Sequence, residues 1–313
     1  MKPLRCAVIG VGYLGKFHAQ KYAKNPGCEL VAVVDSRQDV AQAVAQPLGC
    51  RALTDYRELL GQVDAVSIVV PTQAHHAVCV DFLRAGVHVL VEKPMTTTLA
   101  QADELIRMAD DKGLVLAVGH LERFNPAALA LEPLLQDPRF IDSSRLAPFK
   151  PRATDVSVLL DLMIHDVDLI LSLVDSEVES VDCSGARVLT QDIDIANARI
   201  RFVNGCVANI TASRVSSKSE RKMRVFQSRA CHSLDFQART LTTYRGAEDP
   251  MAAPENAIER QEQSFGEADP LNSEIVDFVD SIRQHRPPKV TGRAGRRALE
   301  AVQRITEATR LIS

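Results

Sequence analysis

The chain has 313 residues, with 37 lysines and arginines against 40 acids for a net charge of −3, and 46% of it is hydrophobic. That length suits two domains of moderate size, each able to bury its own core. The near balance of charge excludes the global basic field that draws proteins to nucleic acid or anionic membranes, and no run reaches the roughly 18 apolar residues of a membrane span. A small or anionic soluble ligand fits better.

The opening, MKPLRCAVIGVGYLGKFHAQ, sets a charge before an apolar run. Glycines interrupt that run, Lys16 and His18 end it, and no small-residue cleavage pattern follows, so it is not read as a signal peptide. Up to about residue 120, short apolar runs (6–10, 30–35, 65–70, 87–92 and 114–119) alternate with helix-like stretches. Continuous apolar strands separated by helices predict a parallel sheet covered on both faces, a doubly wound α/β domain over 1–120.

Gly10-Val11-Gly12-Tyr13-Leu14-Gly15 matches G-x-G-x-x-G after the first strand and at the start of a helix. Gly10 would make the tight turn, Gly12 admit a pyrophosphate, and Gly15 let helix and strand pack closely, with phosphates at the helix N-terminus. Asp35 ends the second strand at the distance where an acid binds the ribose hydroxyls of NAD; Ser36 and Arg37 beside it leave NADP open. Pro71, Thr72, His75 and His76 leave the strand at 65–70, at the sheet edge where such folds bind ligands, and are read either as nicotinamide-pocket residues or as a capped turn. Glu92, Lys93 and Pro94 end the next strand, where the Lys93 ammonium would reach the cleft.

Beyond residue 120 the pattern changes. His120, Glu122, Arg123 and Asn125 follow the last parallel strand at the domain junction; His120, Arg123 and Asn125 are candidate substrate contacts or fasteners of the crossover. Residues 159–170, LLDLMIHDVDLI, are apolar yet hold four ionisable groups. On a regular helix Asp161, His165, Asp168 and Ser172 share one stripe, and only Asp166 points elsewhere. His165 would take a hydroxyl proton during hydride transfer, with Asp161 orienting its ring and Lys93 bonding the developing alkoxide. A metal pair and a buried structural histidine are the competing readings; no metal is expected.

Residues 195–203 alternate like a strand with one wet face, Asn204-Gly205 marks a hairpin, and 206–213 runs back. Strand-like pieces at 223–227 and 239–244 extend an antiparallel sheet, so 121–313 reads as an α+β domain. Arg214, Lys218, Arg221, Lys222 and Arg224 would meet a pyrophosphate or form a solvated surface. Residues 245–270, polar and rich in Pro and Gly, read as a long loop. Two helices close the chain, one burying Leu271, Ile275, Phe278, Val279 and Ile282, the other Leu299, Val302, Ile305 and Ile312. The last is expected to pack back toward the first domain. Seven cysteines (6, 28, 50, 79, 183, 206, 231) without CxxC spacing point to a reducing, cytoplasmic setting.

Gly10/Gly12/Gly15, Asp35, Glu92-Lys93-Pro94 and Asp161-x-x-x-His165-Asp166-x-Asp168 together resemble the Gfo/Idh/MocA oxidoreductases, nearly end to end. The resemblance implies an N-terminal Rossmann domain, a C-terminal α+β domain with an open sheet used for oligomerisation as a homodimer or homotetramer, NAD(P)-dependent chemistry on sugars, and Lys93, Asp161 and His165 as catalytic trio. Within the family, residues 118–127 and 192–216 are most similar to the branch that oxidises the 3-hydroxyl of UDP-N-acetylglucosamine, whose ketone an aminotransferase converts toward lipid A. The rivals are an inositol dehydrogenase of the same family, a non-catalytic nucleotide-binding regulator and a metal-dependent enzyme.

Overall fold

The computed structural model describes residues 2–150, 156–246 and 258–312. It divides into two compact units, one of Met1–Leu121 with Asp269–Leu299, the other of Glu122–Ala268 with Glu300–Ser313. A single cut after residue 120 therefore misses the return of the chain: the segment 269–299 belongs to the first unit.

That unit is built from β1 (Leu4–Ile9), α1 (Gly15–Lys24), β2 (Cys28–Val34), α2 (Gln38–Leu48), β3 (Arg51–Leu53), β4 (Ala65–Ile68), α3 (Thr72–Arg84), β5 (His88–Glu92), α4 (Leu99–Lys112) and β6 (Leu116–Gly119). The strands form one parallel sheet in the order β3-β2-β1-β4-β5-β6. β4, the second half of β1 and the middle of β5 are buried on both faces, as continuous apolar runs require. β3, three residues long, has too few side chains to show a period and was not anticipated.

In the second unit the described elements are α5 (Pro126–Leu131), β7 (Phe140–Leu146), a π-helical turn (Leu159–Met163), α6 (Ile164–Leu173), β8 (Val178–Ala186), β9 (Ile195–Phe202), β10 (Val207–Ser213), β11 (Glu220–Gln227), β12 (Ala230–Asp235), β13 (Thr240–Gly246) and β14 (Ile258–Ser264). Nine strands make one mixed sheet, β14-β13-β12-β11-β7-β10-β9-β8-β15, antiparallel except where β10 meets β7 and β8 meets β15 (Thr309–Leu311). Gly205 turns the β9–β10 hairpin at φ +87°, a conformation glycine adopts without Cβ strain.

The loop expected over 245–270 is corrected in part. Residues 258–264 form β14, paired with β13 along its length, while 247–257 lie outside the described residues. Every β14 residue is exposed, so the strand lacks the apolar alternation by which strands are recognised. β12 also went unanticipated.

Between β14 and β15 the chain makes α7 (Pro270–Gln284) and α8 (Gly292–Ala308). Asp269 caps α7 by accepting the Asn272 N–H at 3.0 Å. All five residues expected on the apolar face of α7 are buried, and this face packs into the core of the first unit with Val8, Tyr22 and Leu90. On α8, Leu299, Val302 and Ile305 are buried as expected; Ile312 lies past the helix and is 64% exposed.

Candidate active site

The carboxyl edge of the parallel sheet collects the glycine loop after β1, Asp35 after β2, Thr72 after β4, Lys93 after β5 and His120 after β6. The strand order reverses between β1 and β4, the position where doubly wound sheets hold ligands. Each glycine has its own steric reason. Gly10 has φ +85° and a Cβ there would lie 2.7 Å from the Val69 carbonyl; a Cβ on Gly15 would overlap the Gly10 carbonyl oxygen. A Cβ on Gly12 would meet no protein atom within 4 Å. Nothing in the protein's own packing therefore demands Gly12, whereas a pyrophosphate approaching the backbone would.

At the start of α1, Leu14 makes no side-chain cap and the first turn holds no acid, which leaves the helix N-terminus able to receive an anion. Asp35 braces the loop: Oδ2 accepts the Val11 N–H at 3.2 Å and Oδ1 the Arg37 N–H at 3.1 Å. Ser36 and Arg37 beside it are exposed, as is Tyr13, whose ring meets Phe17 edge-on at 5.9 Å. The residues present fit a dinucleotide.

Pro71 precedes α3, and half-buried Thr72 opens it. His75 is buried, its two nitrogens 2.8 Å from the Val70 carbonyl and 3.0 Å from the Pro94 carbonyl. Burial pushes its pKa down, so near neutral pH the ring carries one N–H and donates to one carbonyl at a time. His75 thus ties the loop after β4 to the turn that carries Lys93. His76 sits outside it, 2.9 Å from Glu104. Lys93 is half-buried, joined to Pro94 by a cis peptide, and its backbone N–H donates to Glu92 Oε2 at 3.3 Å.

In the second unit, Asp161 lies within the π-helical turn and His165 at the second residue of α6. The regular stripe expected over 161–172 is therefore interrupted: a π turn holds more residues than an α turn and re-aims the side chains on it. Asp161 and His165 are both half-buried, Asp168 is buried and Ser172 is exposed. π turns occur often at functional sites, and this one falls on the segment with the candidate base.

Asp166, with no role in the sequence reading, anchors the unit's buried ion network. Arg145 of β7 donates from Nε to Asp166 Oδ2 at 2.6 Å and from Nη1 to Glu122 Oε1 at 2.9 Å, while Ser143 Oγ donates to Asp166 Oδ1 at 2.8 Å. Burial works against the guanidinium charge, but Asp166 and then Glu122 more than offset it and raise its pKa. The alternation of β7 faces Ile141, Ser143 and Arg145 inward, a signal available in the sequence.

The expected substrate contacts divide. His120 is buried and Arg123 donates from Nη1 to the Asp168 carbonyl at 3.5 Å. Asn125 is engaged elsewhere: its side-chain oxygen caps α5 by accepting the Ala127 N–H at 3.1 Å, and its amide donates to the Phe236 carbonyl at 3.2 Å. Arg214 donates to the Val156 carbonyl, its Nε 3.8 Å from Asp194 Oδ1. Asp194 accepts the backbone N–H groups of Val188, Leu189 and Thr190 at 2.6–2.9 Å; burial opposes its charge, but these bonds hold its pKa down at about 2. Asn125 and Arg214 are thus each bonded within the second unit. In the basic stretch, Lys218 pairs with Glu220, Arg221 with Glu122, Lys222 with Glu220 and Asp235, and Arg224 with Asp142, a solvated face neutralised by its own acids.

Residues 4–120 match the family described as "Oxidoreductase family, NAD-binding Rossmann fold", and 137–231 match the "GFO/IDH/MocA C-terminal domain". The chain belongs to the Gfo/Idh/MocA oxidoreductases. Among Gfo/Idh/MocA relatives, the UDP-N-acetylglucosamine 3-dehydrogenase of Acidithiobacillus ferrooxidans is 44% identical over 307 residues, 97% of either chain. A solved structure of that enzyme superposes with a TM-score of 0.92 at 42% identity, covering 99% of this chain and 98% of the other. The scyllo-inositol 2-dehydrogenase (NAD(+)) of Bacillus subtilis is 30% identical over 233 residues, 68% of each chain. The chain is an oxidoreductase with an NAD-binding Rossmann domain. No helix among the described residues is long and apolar enough to cross a membrane.

Proposed function

We propose that the protein oxidises the 3-hydroxyl of UDP-N-acetylglucosamine to a ketone with NAD as hydride acceptor. The observation that carries this reading is the 44% identity to a UDP-N-acetylglucosamine 3-dehydrogenase across 97% of both chains. The local chemistry agrees with it. Gly10, Gly12 and Gly15 open a backbone cradle beside the uncapped N-terminus of α1, and Asp35 would accept the ribose hydroxyls. When bound there, NAD supplies the hydride acceptor.

His165 takes the hydroxyl proton as general base, and Asp161 orients its imidazole. Lys93 hydrogen-bonds the oxygen as negative charge develops on it. Glu92 and His75 hold the Lys93–Pro94 turn, while His120 and Arg123 contribute substrate contacts. The assembly is a homodimer or homotetramer in the cytoplasm, using the open face of the nine-stranded sheet, and an aminotransferase consumes the ketone.

The test follows NAD reduction at 340 nm with UDP-N-acetylglucosamine, free N-acetylglucosamine, scyllo-inositol and myo-inositol in parallel, with an aminotransferase and amino donor added to draw off the ketone. Reduction with the sugar nucleotide alone is expected. Reduction by an inositol instead would make the protein a cyclitol dehydrogenase, and reduction by none would overturn this reading of the substrate.

A further inference from the structure

Behind Lys93, three distant segments of the first unit bring largely buried ionisable side chains together. His18 of α1 is fully buried, Glu92 ends β5, and Glu274 of α7 is 3% exposed. Their nearest nitrogen and carboxylate oxygens all lie within 4.8 Å of one another. A carboxylate only accepts, so His18 Nε2–H donates to Glu92 Oε1 at 3.2 Å. Nδ1 of the same ring is 3.2 Å from Ser67 Oγ, which is in turn 2.9 Å from the Tyr22 hydroxyl.

The Glu92 carboxyl is thereby fixed on several sides. One oxygen faces His18 and the other accepts the Lys93 N–H. The neighbouring strand clears space for it: a Cβ on Gly119 would lie 2.8 Å from Glu92 Oε1. Glu274 is the opposite case, for both its oxygens are buried with no hydrogen-bond partner among the described residues. A charged carboxylate so placed would be strongly unfavourable. Burial, and then the charges of Glu92 and of Asp277 on its own helix, push its pKa well up and favour the protonated form. For Glu92 burial is outweighed by the His18 hydrogen bond and charge and by Lys93, and its pKa falls. Two neighbouring carboxyls are thus driven apart, one charged and one neutral.

We propose that Glu92 is a positioning residue for Lys93, and that Glu274 in its protonated form closes the pocket in which the Glu92 carboxylate is held. The proposal rests on the reading of Lys93 as the group that bonds the reacting oxygen. Lysine leaves a strand end on a flexible four-carbon stem, so a fixed carboxylate at the adjoining residue both anchors the backbone and supplies one counter-charge. An ionised Glu274 would add a second negative charge and compete for the ammonium.

The experiment uses the full chain with Glu92→Gln, Gly119→Ala and Glu274→Gln. Turnover with UDP-N-acetylglucosamine is measured beside trace acetylation of Lys93 read by mass spectrometry, which needs no substrate. Glu92→Gln and Gly119→Ala should lower kcat about 10- to 100-fold, as a misplacement of about 1 Å does, while NAD dissociation stays near the wild-type value. Both should change the Lys93 acetylation rate severalfold. Glu274→Gln, uncharged and of the same shape, should leave kcat, its pH profile and that rate unaltered.

Wild-type kcat and acetylation in Glu92→Gln would overturn the proposal. So would a shifted pH profile in Glu274→Gln, or a stoichiometric transition metal that is lost in that variant. Should Glu92→Gln fail to fold, Gly119→Ala decides, since it displaces the carboxylate and keeps every charge. Should the wild type reduce no NAD with the sugar nucleotide, the reading of the substrate fails while the acetylation rates still judge the positioning of Lys93.

Discussion

Each unit buries two carboxyls close together, and the two solve the problem of like charge differently. In the second unit Asp166 and Glu122 flank the Arg145 guanidinium, which meets one through two donors and the other through a third. In the first, a histidine stands where the second unit has an arginine: His18 favours the charged form of Glu92, and burial favours the protonated form of Glu274. A saturated network rigidifies a core, whereas one with an unmatched carboxyl is poised by its surroundings. That the poised cluster adjoins Lys93, and the saturated one underlies the helix of His165, suggests what each is for: tuning in the first, stiffness in the second.

The largest effects should come from the groups these clusters support. Lys93→Ala and His165→Ala should each lower kcat by about 10²- to 10⁴-fold, the usual contribution of a positioned acid–base group, while fluorescence titration shows NAD still bound. Near-normal turnover in either would remove the functional half of the comparison.

Arg145→Met tests the structural half. Leaving Asp166 buried without its cation, and Glu122 with only Arg221 beside it, should lower unfolding free energy by about 3–5 kcal/mol in urea titrations, and adding Asp166→Asn should recover part of it. A loss far smaller than this would mean that the network does not stiffen the unit.

Asp194 offers a carboxylate held mainly by backbone donors, with the Thr190 hydroxyl adding one bond at 2.8 Å. With its pKa at about 2 against an ordinary 3.8, it contributes about 2 kcal/mol that is present above pH 4 and lost as pH falls toward 2. Asp194→Asn should therefore be less stable than the wild type at pH 7, with the gap closing through that acid window in thermal melts.

Glu274 gives a pH dependence of the opposite sign, growing as pH rises. Its folded pKa is raised, so at pH values below the ordinary carboxyl range it has no pH-linked effect. As pH rises, the unfolded chain releases a proton that the folded chain keeps, and stability is lost until the folded pKa is passed. Glu274→Gln and wild type should thus melt alike near pH 4, with the variant gaining relative stability toward pH 9. Parallel curves would show that Glu274 is already ionised.

What could be read from the sequence was local. The glycine loop, Asp35 and Lys93 sit at fixed distances from strand ends, and strand and helix periods expose their own buried faces. The α7 face was legible for that reason. Long-range partners were not: nothing near His18 announces Glu92 or Glu274, and Asp166 pairs with a strand residue far upstream. The π turn was hidden because an extra residue in one turn barely alters an apolar pattern. β14 was hidden because an edge strand with both faces exposed needs no hydrophobic period.

The return of α7 into the first unit sets an order on synthesis. β1 to β6 leave the ribosome first, but Leu271, Ile275 and Phe278 of their core, and Glu274 among them, are made only after the whole of the nine-stranded sheet except β15. A nascent first unit therefore carries an apolar face beside Val8 and Leu90 that its own early residues do not cover. The pocket behind Lys93 is closed last, when the chain is nearly complete, so truncation before residue 270 should leave the cofactor-binding half the less stable of the two.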